Sequence, residues 1–137
     1  LTANAGLDVL TGGAGRDTFV IATPSANLNG YSTITDASSG DSLKFKQAGI
    51  EVFAPTKLVL GDTAVFQDYA NLAAQGDGST NGILSWFQFS GNTYVIEDMS
   101  AGSSFANGTD VVVRLTGLVD LSTSSINTTG GPTLLIA

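Results

Sequence analysis

A glycine-rich nonapeptide near the N-terminus constrains this chain more than any other feature. Residues 12–20 read Gly-Gly-Ala-Gly-Arg-Asp-Thr-Phe-Val and fit the repeat Gly-Gly-x-Gly-x-Asp-x-U-x, with U a large apolar residue, at every specified position. Residues 3–11 echo this nonapeptide nine positions earlier. The aligned pairs are Gly6 and Gly15, Asp8 and Asp17, and Leu10 and Phe19. The chain therefore contains an internal repeat with a period of nine.

The spacing of the repeat has a physical meaning. Glycines allow a tight turn that aims carbonyl oxygens inward, the Asp closes a cation cage, and the U residue enters a thin core. Each nonapeptide is then half a coil of a calcium-bound parallel β-roll. The first copy is incomplete, because Ala3-Asn4 replaces Gly-Gly, although Asn also tolerates left-handed backbone. We expect both loops to be calcium half-sites completed by neighbouring sequence.

Composition and charge agree with a β-rich calcium protein. Twelve acids against five basic residues give a net charge of −7, which argues against binding of a nucleic-acid backbone. Ten of the twelve acids are Asp, and six of these lie within two residues of a Gly. Short carboxylates on turns suit a hard divalent cation such as Ca²⁺. The alternative is that Asp and Gly both simply favour turns.

Absent residue types exclude several functions. The chain has no Cys and no His, so thiol nucleophiles, Ser-His-Asp triads and Cys or His zinc sites are excluded. No apolar run reaches the length of a membrane span, and no membrane span is expected. No catalytic residue is predicted, and we expect no enzyme activity; pairs such as Glu97 and Asp98 could serve as acid and base, but nothing in their spacing requires it.

Two alternating segments follow the repeat. Residues 31–35 and 42–45 alternate apolar and polar side chains around a polar turn, which predicts a hairpin or a further coil. Asp36 and Asp41 flank this turn, with Gly40 before the second Asp. A turn of this composition either binds a cation or carries a solvated Asp pair.

The remainder of the chain predicts more strands and one short helix. Residues 83–89 and 93–98 form the clearest hairpin, around a Ser-Gly-Asn turn, and residues 110–121 indicate a buried strand running into a turn. Two short apolar runs within residues 50–60 predict strands or an edge strand. The helix is expected over residues 63–75, with Asp62 or Thr63 as N-cap and Gly76 as its stop.

These motifs resemble a known family. The nonapeptide at residues 12–20 resembles the hemolysin-type calcium-binding repeat of RTX proteins, which are exported by type I secretion systems. The pattern Ile-x-Asp-x-x-x-Gly-Asp-x-Leu-x-Phe, residues 34–45, is similar to the segment that closes the β-roll in that family. The resemblance implies that the calcium ligands lie in these loops. The implied set is Asn4, Gly6, Asp8, Gly12, Gly13, Gly15, Asp17, Asp36, Gly40 and Asp41.

A second stretch extends the resemblance. Residues 86–98 and 108–117 look like the C-terminal region of type I-secreted, Caulobacter-like S-layer proteins, and the tail at residues 133–137 has the terminal apolar cluster of an export signal. The resemblance implies a secreted, cell-surface protein that self-associates in a lattice and is recognised by a type I transporter. The alternative is the C-terminal module of an RTX protease, lipase or adhesin.

The expected fold class is mostly β. Residues 1–48 would form the end of a calcium-binding parallel β-roll, which continues into a β-sandwich-like or β-roll-like module at residues 49–137. That second part would carry the short helix and the export signal. Because no third nonapeptide follows Val20, we also expect earlier coils of the roll upstream of Leu1.

Overall fold

The structure, a computed structural model, is mostly β, with two mixed sheets and one short helix. It describes residues 1–3, 7–21, 23–25, 27–46, 51–75, 82–129 and 131–137. Ten strands and one helix lie in this part of the chain. In chain order they are β1 (Val9–Leu10), β2 (Thr18–Ile21), β3 (Ser32–Ile34), β4 (Ser42–Phe45), β5 (Val52–Phe53), α1 (Phe66–Ala73), β6 (Ile83–Phe89), β7 (Asn92–Asp98), β8 (Val111–Leu115), β9 (Ser125–Asn127) and β10 (Thr133–Leu135).

The strands form a six-stranded sheet and a four-stranded sheet. The six-stranded sheet has the order β1-β3-β8-β7-β6-β5, with parallel pairs at both edges and an antiparallel centre. The four-stranded sheet has the order β2-β4-β10-β9, in which only β2 and β4 run parallel. The C-terminal strand β10 is therefore an interior strand, between β4 and β9.

The first four strands wind as a coil between the two sheets. Successive strands alternate sheets, with β1 parallel to β3 in one and β2 parallel to β4 in the other. Of the two predictions for residues 31–45, the coil is confirmed and the hairpin is wrong, because β3 and β4 pair in different sheets. Thr2 also bridges in parallel to Val20, and this separation of 18 residues equals two nonapeptides.

Two apolar layers hold the sheets and the helix together. The larger lies between the sheets and includes Phe19, Leu43 and Leu134 from one side and Trp86 and Val95 from the other. The smaller layer covers the outer face of the six-stranded sheet, where α1 packs on β6, β7 and β8. Burial of apolar area in both layers is the main force that stabilises such a fold.

The hairpin predicted at residues 83–98 is present. β6 and β7 pair from Ile83 with Asp98 to Phe89 with Asn92, so Asn92 belongs to the strand rather than to the turn. The two turn residues, Ser90 and Gly91, have φ of 51° and 83°. Two successive positive φ angles match the twist of a two-residue hairpin.

The helix is shorter than the sequence predicts. α1 begins at Phe66 with Val65 as its N-cap, so the prediction of Asp62 or Thr63 as cap is wrong. The preceding residues instead close a turn, in which the Ala64 N–H donates to the Gly61 carbonyl at 3.0 Å. Asp68, within the first helical turn, accepts the Val65 N–H at 2.9 Å. The predicted stop, Gly76, lies outside the described residues.

The apolar runs within residues 50–60 give one strand rather than two. β5 is an edge strand of the six-stranded sheet, as expected, whereas Leu58 makes only an isolated parallel bridge to Phe87. The predicted boundary between residues 48 and 49 lies outside the described residues. Within the described ranges, no helix is long and apolar enough to cross a membrane.

Candidate functional site

The candidate site is a pair of turns stacked on each other. Residues 11–17 connect β1 to β2, and residues 35–41 connect β3 to β4. Because both strand pairs are parallel and in register, the second turn lies directly beside the first. We call these the upper turn and the lower turn. The upper turn holds the Gly-rich nonapeptide, and the lower turn holds the predicted Asp pair.

Asp36 binds the backbone of the upper turn. Its Oδ1 accepts the Gly12 N–H at 2.9 Å and its Oδ2 accepts the Gly13 N–H at 2.7 Å. These two donors lower the pKa of the Asp36 carboxyl, because they stabilise its charged form. Thr11 and Thr35, one position earlier in each turn, join through their hydroxyls at 2.6 Å.

Asp41 makes the equivalent contact at the other end of the turns. Its Oδ1 accepts the Asp17 N–H at 2.9 Å, and its Oδ2 accepts the N–H and hydroxyl of Ser38 at 2.9 and 3.2 Å. Only 3% of Asp41 is exposed. The lower turn therefore binds the upper turn through hydrogen bonds at both ends, with Asp36 at one end and Asp41 at the other.

Asp17 has a carboxylate oxygen without a partner. Its Oδ2 is buried, and no described residue donates a hydrogen bond to it. The same oxygen lies against Gly12, where an added Cβ would be 2.6 Å from it. Only glycine at position 12 leaves room for this carboxylate. A buried carboxylate oxygen without a donor is costly unless a cation or a proton satisfies it.

Three further glycines set the shape of the turns. Gly13, Gly15 and Gly40 have φ of 90°, 113° and 102°, a region that favours glycine. Arg16 passes over Gly40, whose added Cβ would be 3.2 Å from the Arg16 Cγ. Both turns therefore use glycine where the backbone conformation or a close approach requires it.

The structure does not bring all predicted ligands together. Asp8 precedes β1, whereas the upper turn follows β1, so Asp8 lies at the other end of that strand; its carbonyl accepts the Thr33 N–H at 2.8 Å. Asn4 and Gly6 lie outside the described residues. In the described part of the chain, no three Asp or Glu side chains are close enough to form a metal site by themselves.

The stacked turns offer oxygen ligands of a particular kind. Asp17, Asp36 and Asp41 supply carboxylates. Both oxygens of Asp36 and the Oδ1 of Asp41 accept one N–H each and retain a lone pair, whereas the Oδ2 of Asp41 already accepts two donors. Mixed carboxylate and carbonyl ligands suit Ca²⁺, which accepts flexible geometry with six to eight oxygens. A cation here would need backbone oxygens in addition to side chains.

Sequence reasoning missed a second set of buried acids. Glu97 and Asp110 are fully buried, and Asp98 is 1% exposed. Asp110 accepts the N–H groups of Met99 and Ala106 at 2.8 Å each, and so ties the loop before β8. The alternation of side chains along β7 could have revealed the burial of Glu97, because Glu97 faces the same side of the sheet as the buried Val95. Because Glu97 and Asp98 are consecutive in β7, they face opposite sides of the sheet and share no site.

Comparison with known proteins identifies no family. No model of a protein family matches this chain, and a search of curated proteins finds no match.

Proposed function

We propose that this chain is a structural, calcium-binding C-terminal module of a secreted protein, with the stacked turns as its calcium site. The observation that carries this proposal is the buried Asp17 Oδ2, which has no hydrogen-bond partner among the described residues and lies against Gly12. Asp17 would hold the ion together with backbone carbonyls of the Gly-rich turn. At most one of Asp36 and Asp41 would join it, because no three carboxylates of the described residues are close enough to share an ion.

The coil geometry supports the same proposal. The Thr2–Val20 bridge spans 18 residues, which equals two nonapeptides, as a nonapeptide β-roll requires. The parallel pairing of β2 with β4 spans 24 residues and places the lower turn beside the upper turn. Calcium binding to such turns would couple folding to calcium concentration, because a ligand that binds only the folded state stabilises it.

The type of secreted protein rests on the sequence resemblance alone. We propose an S-layer protein, located at the cell surface, whose copies associate in a lattice and whose C-terminus is read by a type I transporter. The tail is an interior strand here, with Leu134 fully buried and Ile136 1% exposed. A transporter that recognises these residues would have to bind them before the four-stranded sheet forms.

The second candidate is the C-terminal module of an RTX protease, lipase or adhesin. The features that favour calcium binding apply equally to it, so the calcium site does not distinguish the two. Any coding sequence before Leu1 would distinguish them, since a His-Glu-x-x-His motif there would indicate a zinc protease.

Calcium titration by calorimetry tests the proposed site, with magnesium as the ion control. We expect calcium binding in the range of extracellular modules, about 0.1–1 mM, and a gain in thermal stability. Asp17→Asn should abolish binding, whereas Asp62→Asn, an exposed Asp that also follows a Gly, should not. Unchanged calcium affinity in Asp17→Asn would refute the assignment of the site, and no binding by the wild type would refute the proposal.

A further inference from the structure

The most unusual buried group in this protein is the carboxyl of Glu97. It lies on the inner face of β7, in a row that crosses the sheet through the apolar residues Phe53, Leu84 and Val111. The side chain therefore enters the apolar layer between the two sheets. Its exposure is 0%.

Among the described residues, one donor from the other sheet reaches this carboxyl. The N–H of Lys46, the residue that follows β4, donates to Glu97 Oε1 at 3.2 Å. The second oxygen, Oε2, is buried and has no hydrogen-bond partner in the same part of the chain. An ionised carboxylate with one donor in an apolar layer is much more costly than the neutral acid.

We propose that Glu97 is a buried proton-binding site, which joins the two sheets as a neutral carboxylic acid and weakens their junction when it ionises. The contact with Lys46 links β7 of the six-stranded sheet to the end of β4 in the four-stranded sheet. Ionisation would strengthen this single hydrogen bond, but it places a charge in the apolar layer between the sheets, and the cost of burying that charge is the larger effect. This proposal does not depend on calcium.

The charged groups around Glu97 shift the pKa of its carboxyl in both directions. Its pKa is raised from an ordinary value of 4.5 to about 8, mainly by burial. The negative charges of Glu51, before β5, and Asp110, before β8, contribute to this rise, while the N–H and the charge of Lys46 oppose it. The charge of Lys46 thus only partly offsets burial and the two acids.

The sign of the pH effect follows directly. In the folded state the proton is retained up to about pH 8, whereas the unfolded chain releases it near pH 4.5. The contribution of Glu97 is therefore fully present below pH 4.5 and is lost as the pH rises through about 8. The contact between the two sheets should therefore be most stable in mildly acidic solution and least stable in alkaline solution.

The composition of the chain allows a direct test. Glu51 and Glu97 are the two glutamates of the sequence, so selective ¹³Cδ labelling of Glu gives two carboxyl signals in an NMR titration. We expect the signal that disappears in Glu97→Gln to titrate near pH 8. Glu51→Gln assigns the other signal, so the assignment does not depend on the folding of one variant. A Glu97 midpoint near the ordinary value, about 4.3, would overturn the proposal.

The Lys46 amide tests the link between the sheets. Its ¹H and ¹⁵N shifts should move with the same midpoint as the Glu97 carboxyl in the wild type, and should lose that step in Glu97→Gln but retain it in Glu51→Gln. A Lys46 amide that ignores the Glu97 titration would refute the junction. Titrations in chelator and in calcium should agree, which separates this proposal from the proposed calcium site.

Discussion

The N–H of Asp17 donates to the Oδ1 of Asp41 at 2.9 Å, although the two residues are 24 positions apart. The link continues at Ser42, the residue after Asp41, whose N–H donates to the Asp17 carbonyl at 2.8 Å. The upper and lower turns are thus fastened just before β2 and β4 begin to pair. This contact sets the register of the coil at its polar end, while Phe19 and Leu43 set it in the core.

Asp41→Ala should destabilise the fold by about 2–3 kcal/mol, because it leaves the buried or partly buried donors of Asp17 and Ser38 without their charged acceptor. Urea unfolding followed by the fluorescence of Trp86, which is 2% exposed, measures this loss. The control is Asp62→Ala, an exposed site expected to change stability by less than about 0.5 kcal/mol. Equal stabilities for the two variants would contradict the role of Asp41.

Gly12→Ala should cost about 1–3 kcal/mol and weaken calcium binding, because the new Cβ would press on the Asp17 carboxylate from 2.6 Å. Gly61→Ala is a matched control, since its added Cβ meets nothing within 4 Å. Thermal unfolding of both variants, with and without calcium, provides the comparison. A Gly12→Ala protein as stable as Gly61→Ala would show that the Asp17 carboxylate moves aside at little cost.

The local parts of this fold were predictable from the sequence because they rest on local chemistry. The turn around Gly12 and Asp17 follows from glycines at fixed offsets, and the β6–β7 hairpin follows from alternation around a Ser-Gly turn. The predicted N-cap of the helix was wrong because the capping side chain is Asp68, which lies within the first helical turn and accepts the Val65 N–H. A search for a Ser, Thr or Asp that precedes the helix does not find this arrangement.

The non-local parts were not predictable. The alternation in residues 31–45 fits a hairpin and a coil equally well, and only the partners of β3 and β4 decide between them. The same holds for β10, whose pairing with β4 joins residues about 90 positions apart in sequence. In the candidate site, the Asp pair was predicted, but its bonds to the N–H groups of Gly12, Gly13 and Asp17 depend on the stacking of the turns.

Asp98→Asn should remove a separate part of the pH dependence of stability. The pKa of Asp98 is raised from 3.8 to about 6, mainly by burial and with a contribution from the neighbouring Asp110, while Ser100 opposes the rise. The contribution is fully present below pH 3.8 and is lost as the pH rises through about 6. Because the intervals of Asp98 and Glu97 overlap, the urea midpoint of the wild type should fall steeply up to about pH 6 and more gently from there to about pH 8. Asp98→Asn should lose the extra slope below pH 6, and Glu97→Gln should lose the decline between pH 6 and pH 8; a wild-type midpoint that rises from pH 4 to 8 would contradict both assignments.

Leu134→Ala tests whether the C-terminal tail belongs to the folded core. Leu134 is fully buried in β10, whereas its neighbour Leu135 is 46% exposed, so the two residues form a matched pair on one strand. We expect Leu134→Ala to cost about 2–4 kcal/mol, and Leu135→Ala less than about 1 kcal/mol. The measurement is urea unfolding of the two variants side by side. If both variants match the wild type, the tail does not contribute to the core and could be read by a transporter in the folded protein. If only Leu134→Ala is destabilised, the tail belongs to the folded core, and the transporter that we propose would have to bind it before the four-stranded sheet forms.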